Sequence, residues 1–352
     1  MLNLRRRDII YTSGMRGVLF HTVLRCPDKK YRMYINQWPK IYKTVCRESV
    51  DAVTFGPEID VIKMSGAAHN FYPFLGNDGQ MYAIGGIDSW KNQAQWHNVN
   101  DFEVFKQMFE KRFGEPYTKE KPSHNFALIQ SAKRPKLDHS DGLYLFKSDD
   151  YINFKQISEK PIITTFHPGF NSALVWGKST EFDGHLSCVW NKARQKYILY
   201  LRNNVRQGCR YIQWCESVDM LTWSGCKNIS IRGFNVETDN YYSPVIFKNP
   251  FGKNYIGTIP YFNVNEDSSI RIITSDDGIN FTVKDDWFRE RIAMFKGAPK
   301  NRKHFANGII VKGNEVNIYI YENYLGCEKR KPVQIVRYSI SENNFREYFQ
   351  CL

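Results

Sequence analysis

Short runs in which apolar and polar residues alternate dominate the chain, and they come in pairs. One set reads Tyr31-Arg-Met-Tyr-Ile35, Met81-Tyr-Ala-Ile84, Tyr197-Ile-Leu-Tyr-Leu201, Tyr255-Ile-Gly-Thr-Ile259 and Val316-Asn-Ile-Tyr-Ile-Tyr321. Such a pattern places alternate side chains on opposite faces of a strand. Turn-forming residues precede each run: Pro27-Asp-Lys-Lys30, Gly76-Asn-Asp-Gly79, Asn191-Lys-Ala-Arg194, Asn249-Pro-Phe-Gly252 and Lys312-Gly-Asn314. A second strand-like run follows each: Tyr42-Lys-Thr-Val-Cys46, Gly142-Leu-Tyr-Leu-Phe146, Arg210-Tyr-Ile-Gln-Trp-Cys215, Ile270-Arg-Ile-Ile273 and Gln334-Ile-Val-Arg-Tyr338. The pattern predicts antiparallel hairpins throughout.

After each second run comes the motif Ser-x-Asp-x-x-x-aromatic. It occurs as Ser49-Val-Asp51-Ala-Val-Thr-Phe55, Ser148-Asp-Asp150-Tyr-Ile-Asn-Phe154, Ser217-Val-Asp219-Met-Leu-Thr-Trp223 and Ser275-Asp-Asp277-Gly-Ile-Asn-Phe281. A degenerate fifth copy, Ser339-Ile-Ser341-Glu-Asn-Asn-Phe345, lies near the end of the sequence. Asp and Ser side chains bond the backbone of tight turns, so the motif predicts a strand-to-strand corner whose aromatic packs the next strand. Because these Asp residues recur from unit to unit, they read as structural. The unit is four antiparallel strands, repeated five times. The fold expected is therefore all-β: a five-bladed β-propeller of four-stranded antiparallel blades, one domain over residues 1–352.

One stretch breaks the rhythm. In Asn98–Phe113, Phe102, Phe105, Met108, Phe109 and Phe113 recur at helical spacing, with capping candidates before them and Gly114 after. We expect a helical insertion, about residues 88–138, within the second blade. There it would cover one face of the propeller.

Composition sharpens this picture. Aromatic residues reach 15% of 352 residues, well suited to sheet-on-sheet cores and to stacking on flat ligands. The net charge of +13 is spread over separate clusters, among them Arg5-Arg6-Arg7, Lys133-Arg134 and Lys329-Arg330-Lys331. A nucleic-acid reader gathers such charge on one element, so no specific nucleic-acid partner is expected. Eight cysteines lie scattered without a Cys-x-x-Cys pair, which points to buried thiols in a reducing compartment. No run is long and apolar enough to suggest a membrane span, and Met1–Asp8 lacks the apolar core of a secretory signal. A cytoplasmic location is the expectation. No metal-binding cluster or phosphate-cradling glycine loop is visible, so neither metal nor cofactor is expected. Some propellers place a calcium ion or a water on the axis, and the sequence alone leaves that open.

The string His69-Asn-Phe-Tyr-Pro-Phe74 with Tyr82-Ala-Ile-Gly-Gly86 resembles an element of glycoside-hydrolase-like five-bladed propellers, the invertase and arabinanase superfamily. So does Phe182-Asp-Gly-His-Leu-Ser-Cys188, leading into Tyr197–Arg202 and Arg210–Gln213. The resemblance runs from about residue 45 to the end and implies a carbohydrate ligand in the central funnel. Invertase-like enzymes carry a carboxylate at the start of the first blade's inner strand. Here that strand reads Gly17-Val-Leu-Phe-His-Thr22, with no acid. The C-terminal β-sandwich of invertases has no counterpart in the sequence.

Residues at the entry of each innermost strand converge on a propeller's axis, which selects the site candidates. The second blade supplies His69 and Asn70, the third Asp183 and His185, the fourth Glu237, Asp239 and Tyr241, and the fifth His304 and Asn307. Arg202, one strand further out, could pair with an acid group. Glycosidic cleavage usually needs two carboxyl groups, an acid and a base or nucleophile. Glu237 is the candidate proton donor and Asp183 the candidate base or nucleophile. Asp239 would orient the sugar or tune Glu237 by like-charge repulsion. His69, Asn70, His185, Arg202, Tyr241, His304 and Asn307 would bind substrate. Four functions stay open: a glycosidase; a non-catalytic carbohydrate-binding propeller; a glycosyltransferase or phosphorylase using Arg202, Arg206, Arg210 and Lys303; and a protein-interaction propeller.

Overall fold

A computed structural model describes residues 4–13, 18–37, 43–63, 66–86, 142–164, 167–170, 182, 184–206, 209–236, 238–263, 267–291, 303–323 and 332–350. Strand β1 (Arg5–Ser13) comes first in the chain. Blade I follows, from axis to rim: β2 (Val18–Arg25), β3 (Tyr31–Gln37), β4 (Lys43–Ser49) and β5 (Ile59–Lys63). Blade II has β6 (Tyr72–Leu75), β7 (Met81–Gly85), β8 (Tyr144–Ser148) and β9 (Lys155–Gln156). Blade III has β10 (Ser187–Asn191), β11 (Lys196–Arg206), β12 (Cys209–Ser217) and β13 (Lys227–Asn228). All the pairings within these blades are antiparallel. The predicted helical insertion, about residues 88–138, lies outside the described residues.

Blades IV and V have inner strands broken in two. In blade IV, β15 (Asp239–Tyr241) and β16 (Ile246–Lys248) both pair with β17 (Tyr255–Asn263), followed by β18 (Asp267–Ser275) and β19 (Asn280–Arg291). A short β14 (Ser230–Ile231) runs parallel along the rim of β19. In blade V, β20 (His304–Phe305) and β21 (Ile310–Lys312) pair with β22 (Glu315–Glu322), and β23 (Val333–Ser341) follows. The outermost strand of blade V is β1, antiparallel to β23 with Arg5 opposite Ser339. The ring is thus closed by the first strand of the chain. Its arginines, one of the separate basic clusters of the sequence, lie on this edge strand, where Arg6 and Arg7 pair with Glu322 and Glu315.

The repeated motif forms the predicted corner between third and fourth strands. In each of four copies the Asp Oδ1 accepts the Ser hydroxyl and two backbone N–H groups, for example from Ile279 and Asn280 to Asp277 at 2.8 Å each. Asp51, Asp150 and Asp219 repeat the arrangement. The residue after each Asp is left-handed: Ala52, Tyr151, Met220 and Gly278 have φ of 61°, 67°, 62° and 77°. The bonds to Asp hold non-glycine residues in a conformation that would otherwise be costly.

The fifth copy behaves differently. Ser341 stands where the others have Asp, and its side chain still accepts from the N–H three residues on, that of Asn344. It does so as the N-cap of an α-helix, α1 (Glu342–Phe349), which docks Phe345 and Phe349 into the core. Ser can cap a helix as well as a turn, and with no fourth strand to reach inside the blade the chain continues helically.

The apolar core is a ring. Five buried clusters lie between neighbouring blades, one per junction, so the middle strands are covered on both faces. All seven residues of β3 are buried. Three junctions also share a tyrosine clasp. Tyr34, Tyr200 and Tyr319 each donate a hydroxyl to a corner carbonyl of the next blade, at Tyr151 (2.7 Å), Gly278 (2.6 Å) and Ala52 (2.6 Å) respectively.

Candidate functional site

The breaks in the two inner strands shape the axis. Between β20 and β21 the chain leaves the ladder at Asn307, helped by Gly308 at φ 96°, where a Cβ would meet Val23 O at 2.4 Å. Asn307 then pairs with the first blade through backbone, donating to His21 O at 2.9 Å and accepting from Val23 N at 2.9 Å. Its side chain crosses to the third blade. Nδ2 donates to Leu186 O at 2.6 Å and reaches His185 Nδ1 at 3.2 Å, while Oδ1 accepts from the Ser187 hydroxyl at 2.7 Å. Asn307 therefore ties blades I, III and V together. The break in blade IV, with Ser243 at φ 75°, directs its hydroxyl to His185 N.

Buried histidines gather near Asn307. His21, His185 and His304 are 0%, 2% and 1% exposed, and His69 ends a 3-10 helix, Gly66–His69. Phe20 fills the space among them, 4.5 Å between ring centres from His185 and 6.3 Å from His69. His21 stacks edge-on against Tyr321 at 4.2 Å. Burial pushes the His21 and His304 imidazoles down to about 3 and holds His185 well below its ordinary value. The three rings are neutral at ordinary pH.

On the fourth-blade side, Tyr242 stands 5.9 Å from His304 and carries two guanidinium groups on its ring, Arg210 at 4.8 Å and Arg202 at 5.6 Å. Arg202 is 4% exposed and packs beside Gly184, where a Cβ would meet its own Cβ at 3.4 Å. A fixed positive charge thus sits beside neutral imidazoles.

The sequence candidates fall into groups. His185, His304, Arg202 and Asn307 meet around the axis, with His69 beside Phe20. Asn70 faces backbone on both sides: Nδ2 donates to Phe182 O at 2.6 Å, and Oδ1 accepts from Gly86 N at 2.9 Å. These bonds hold the backbone at Phe182 and Gly86. Asp239 is 5% exposed and accepts from Tyr261 (2.8 Å), Asn263 (3.0 Å), Thr238 (3.3 Å) and Asn235 N (3.0 Å). These bonds close the Asn235–Asp239 turn. Tyr241 is fully buried in the core between blades III and IV, its hydroxyl accepting from Arg271 at 3.0 Å. Asp183 and Glu237 lie outside the described residues, although their neighbours Gly184 and Thr238 are described.

Sequence reasoning missed His21, Phe20 and Tyr242, and named Arg210 only as a possible phosphate ligand. His21 occupies the first-blade inner strand, which was searched for an acid and not for an imidazole. Tyr242 lies one residue beyond Tyr241, on the opposite side of the chain. The basic group proposed for phosphate is divided: Arg202 and Arg210 converge on Tyr242, whereas Lys303 lies over Phe288 at 5.3 Å.

Among the described residues no group of three or more His, Cys, Asp or Glu is placed to hold a metal ion. Calcium takes about six to eight oxygen ligands. The described axial donors are imidazole nitrogens and one engaged amide, which do not fit it.

No family model and no curated protein matches the sequence. Solved structures do match. One is titled a glycoside hydrolase, with a TM-score of 0.55 and 14% identity, covering 95% of this chain and 91% of that one. An α-L-arabinanase of Penicillium chrysogenum, complexed with arabinobiose, gives 0.51 and 11% over 97% and 98% of the two chains. An N-acetylgalactosamine deacetylase from F. plautii, in complex with blood group B trisaccharide, gives 0.52 and 12% over 98% and 97%. The chain has the five-bladed propeller fold that it shares with these proteins.

Proposed function

We propose that the axial funnel binds a carbohydrate and that the protein cleaves a glycosidic bond there, with Glu237 as proton donor and Asp183 as base or nucleophile. The observation that supports this reading is the half-buried Tyr242 ring near the axis, with the Arg202 guanidinium over it and beside Gly184, next in sequence to Asp183. Flat rings stack on sugar faces, and a guanidinium stabilises a nearby carboxylate. Asp239 enters as the residue that closes the turn beside Glu237.

A second reading, a recognition propeller without catalysis, is favoured by two features. The described acid of the trio, Asp239, is engaged by four donors, and the first blade offers neutral His21 where invertase-like enzymes have a carboxylate. A phosphorylase would draw on Arg202 and Arg210.

The test is a glycan and polysaccharide screen of wild type, Asp183→Asn and Glu237→Gln, reading binding and reducing-end release together. Release by wild type that drops about a hundredfold or more in each variant, with binding kept, is the expected result. Acetate release and phosphate-dependent products are read in the same wells, because a fold does not fix a reaction. Binding without any product carries the recognition reading. Neither binding nor product overturns the carbohydrate reading.

A further inference from the structure

A cavity of about 650 Å³ touches the inner strand of every blade. Blade I supplies Leu24 of β2, blade II Leu75 of β6, blade III Trp190 of β10 and blade IV Phe247 of β16. Blade V supplies Asn307 and Gly308, from the break between β20 and β21. Only the axis borders all five inner strands, so the cavity is axial. Leu24, Leu75 and Trp190 lie at the last or next-to-last position of their strands, whereas His69, His185 and His304 lie at or before the first. Inner strands run the same way around the ring, as the parallel bridge of Thr22 with Asn307 shows for blades I and V. The cavity therefore opens at the mouth opposite the candidate glycosidase site.

Its walls and its rim differ in chemistry. Leu24, Leu75, Trp190 and Phe247 are all half-buried, so apolar surface from four blades stays open around one opening. The Trp190 ring is held edge-on against Tyr197, 4.8 Å between ring centres. The rim carries Lys192, in the turn after β10, and Lys248, the last residue of β16, and both are exposed. No Asp or Glu lines the cavity. In the hairpin of Lys192, Arg194 and Lys196 are both taken by Glu216, at 3.1 and 2.7 Å. Neither Lys192 nor Lys248 makes an ion pair among the described residues; the Lys248 ammonium lies 5.8 Å from the centre of the Tyr255 ring. Small-molecule sites have this make-up: about 300–1,000 Å³, mostly apolar walls and a few polar groups that fix orientation.

We propose that this cavity is a second binding site, for a small organic anion with a flat apolar body, of the aryl carboxylate class. The body enters among Leu24, Leu75, Trp190 and Phe247, where it removes apolar surface from water and meets two aromatic rings. The carboxylate stays at the rim, facing the ammonium groups of Lys192 and Lys248. A cation of the same shape meets two like charges and no acid, and a neutral analogue gains the apolar contact alone.

The experiment titrates the full chain, labelled with nitrogen-15 at tryptophan, with probes of similar size and different charge: 1-naphthoate, 1-naphthamide and 1-naphthylmethylammonium. The Trp190 indole signal, identified by its loss in Trp190→Phe, reports on the cavity wall. Naphthoate is expected to shift this signal and to bind about tenfold more tightly than the amide, with the ammonium weakest of all. In the double variant Lys192→Gln/Lys248→Gln, naphthoate affinity should fall to that of the amide, and amide affinity should hold. Both lysines are exposed, so the variant keeps the fold. Naphthoate that fails to bind, or that binds without shifting Trp190, overturns the proposal. So do probes that all bind alike, or a preference for naphthoate that survives the double variant. No residue changed in this test belongs to the candidate glycosidase site, so the failure of either reading leaves the other standing.

Discussion

The axial histidines concentrate the pH sensitivity of the molecule in a few side chains. His21, His185 and His304 are neutral in the folded state because burial removes the water that would solvate their charge. In an unfolded chain a histidine titrates near 6.5. Below that value the unfolded state binds the extra protons, so stability falls as pH falls, until the folded rings themselves titrate near 3 for His21 and His304. Each ring contributes up to about 1.4 kcal/mol per pH unit across that window. Urea unfolding followed from about pH 7 to pH 5 should show a midpoint that drops steeply, and His304→Phe should flatten the drop. A flat profile in wild type would mean that the rings are solvated. The corner aspartates act in the same direction at lower pH. Backbone N–H bonds help hold Asp51 down at about 2, so its contribution is lost only as pH falls from about 4 toward that value. Asp219→Ala removes the acceptor of two backbone N–H groups and of Ser217, and should cost about 1–2 kcal/mol in denaturant unfolding while leaving any sugar binding unchanged.

At the scale of the element, the sequence made the corners legible and much of the site illegible. The recurrence of Ser-x-Asp counts the blades because each Asp does the same local work within a few residues, and local work leaves a local signature. The closing strand β1 has no such signature: its partner β23 is at the other end of the sequence, and Arg5-Arg6-Arg7 on an edge reads as loop. The helix α1 was hidden because Ser341 satisfies the rule for a corner and for a helix cap alike. Tyr241 ends a three-residue strand and Tyr242 lies just past it, a strand too short for periodicity to decide which of the two faces the axis. Asn70 was legible as an inner-strand polar residue, yet its role depends on Phe182 O, more than a hundred residues away. The tyrosine clasps give this scale its own prediction. Tyr34→Phe, Tyr200→Phe and Tyr319→Phe each remove one bond to a corner carbonyl, at an expected cost of about 1 kcal/mol. They sit at different junctions, so the triple variant should lose about the sum. A triple variant no weaker than the singles would show that the clasps report packing and do not supply it.

For the whole molecule, the unit of stability is the closed ring. No blade has a core of its own, since each apolar cluster belongs to a junction between two blades. Removing residues 5–13 takes the fourth strand from blade V, and with it Ile10, which packs in the junction of blades I and V. The expected outcome is loss of a single cooperative thermal transition and association through the bare edge of β23, seen by calorimetry and light scattering. Retention of one sharp transition by a monomer would show that α1 and the junction packing suffice. The same closure sets an order of events in time. During synthesis β1 is made before the strands of all five blades' inner positions and β23 after them, so β1 waits for the intervening chain before it can pair. Pairings between distant segments are the slow ones, because the loop between them must be closed before any contact repays it. The docking of β1 onto β23 is therefore expected among the slow steps of assembly. A circularly permuted chain of residues 1–352 that begins between blades, with α1 linked to β1, should reach the native state faster than the unpermuted one.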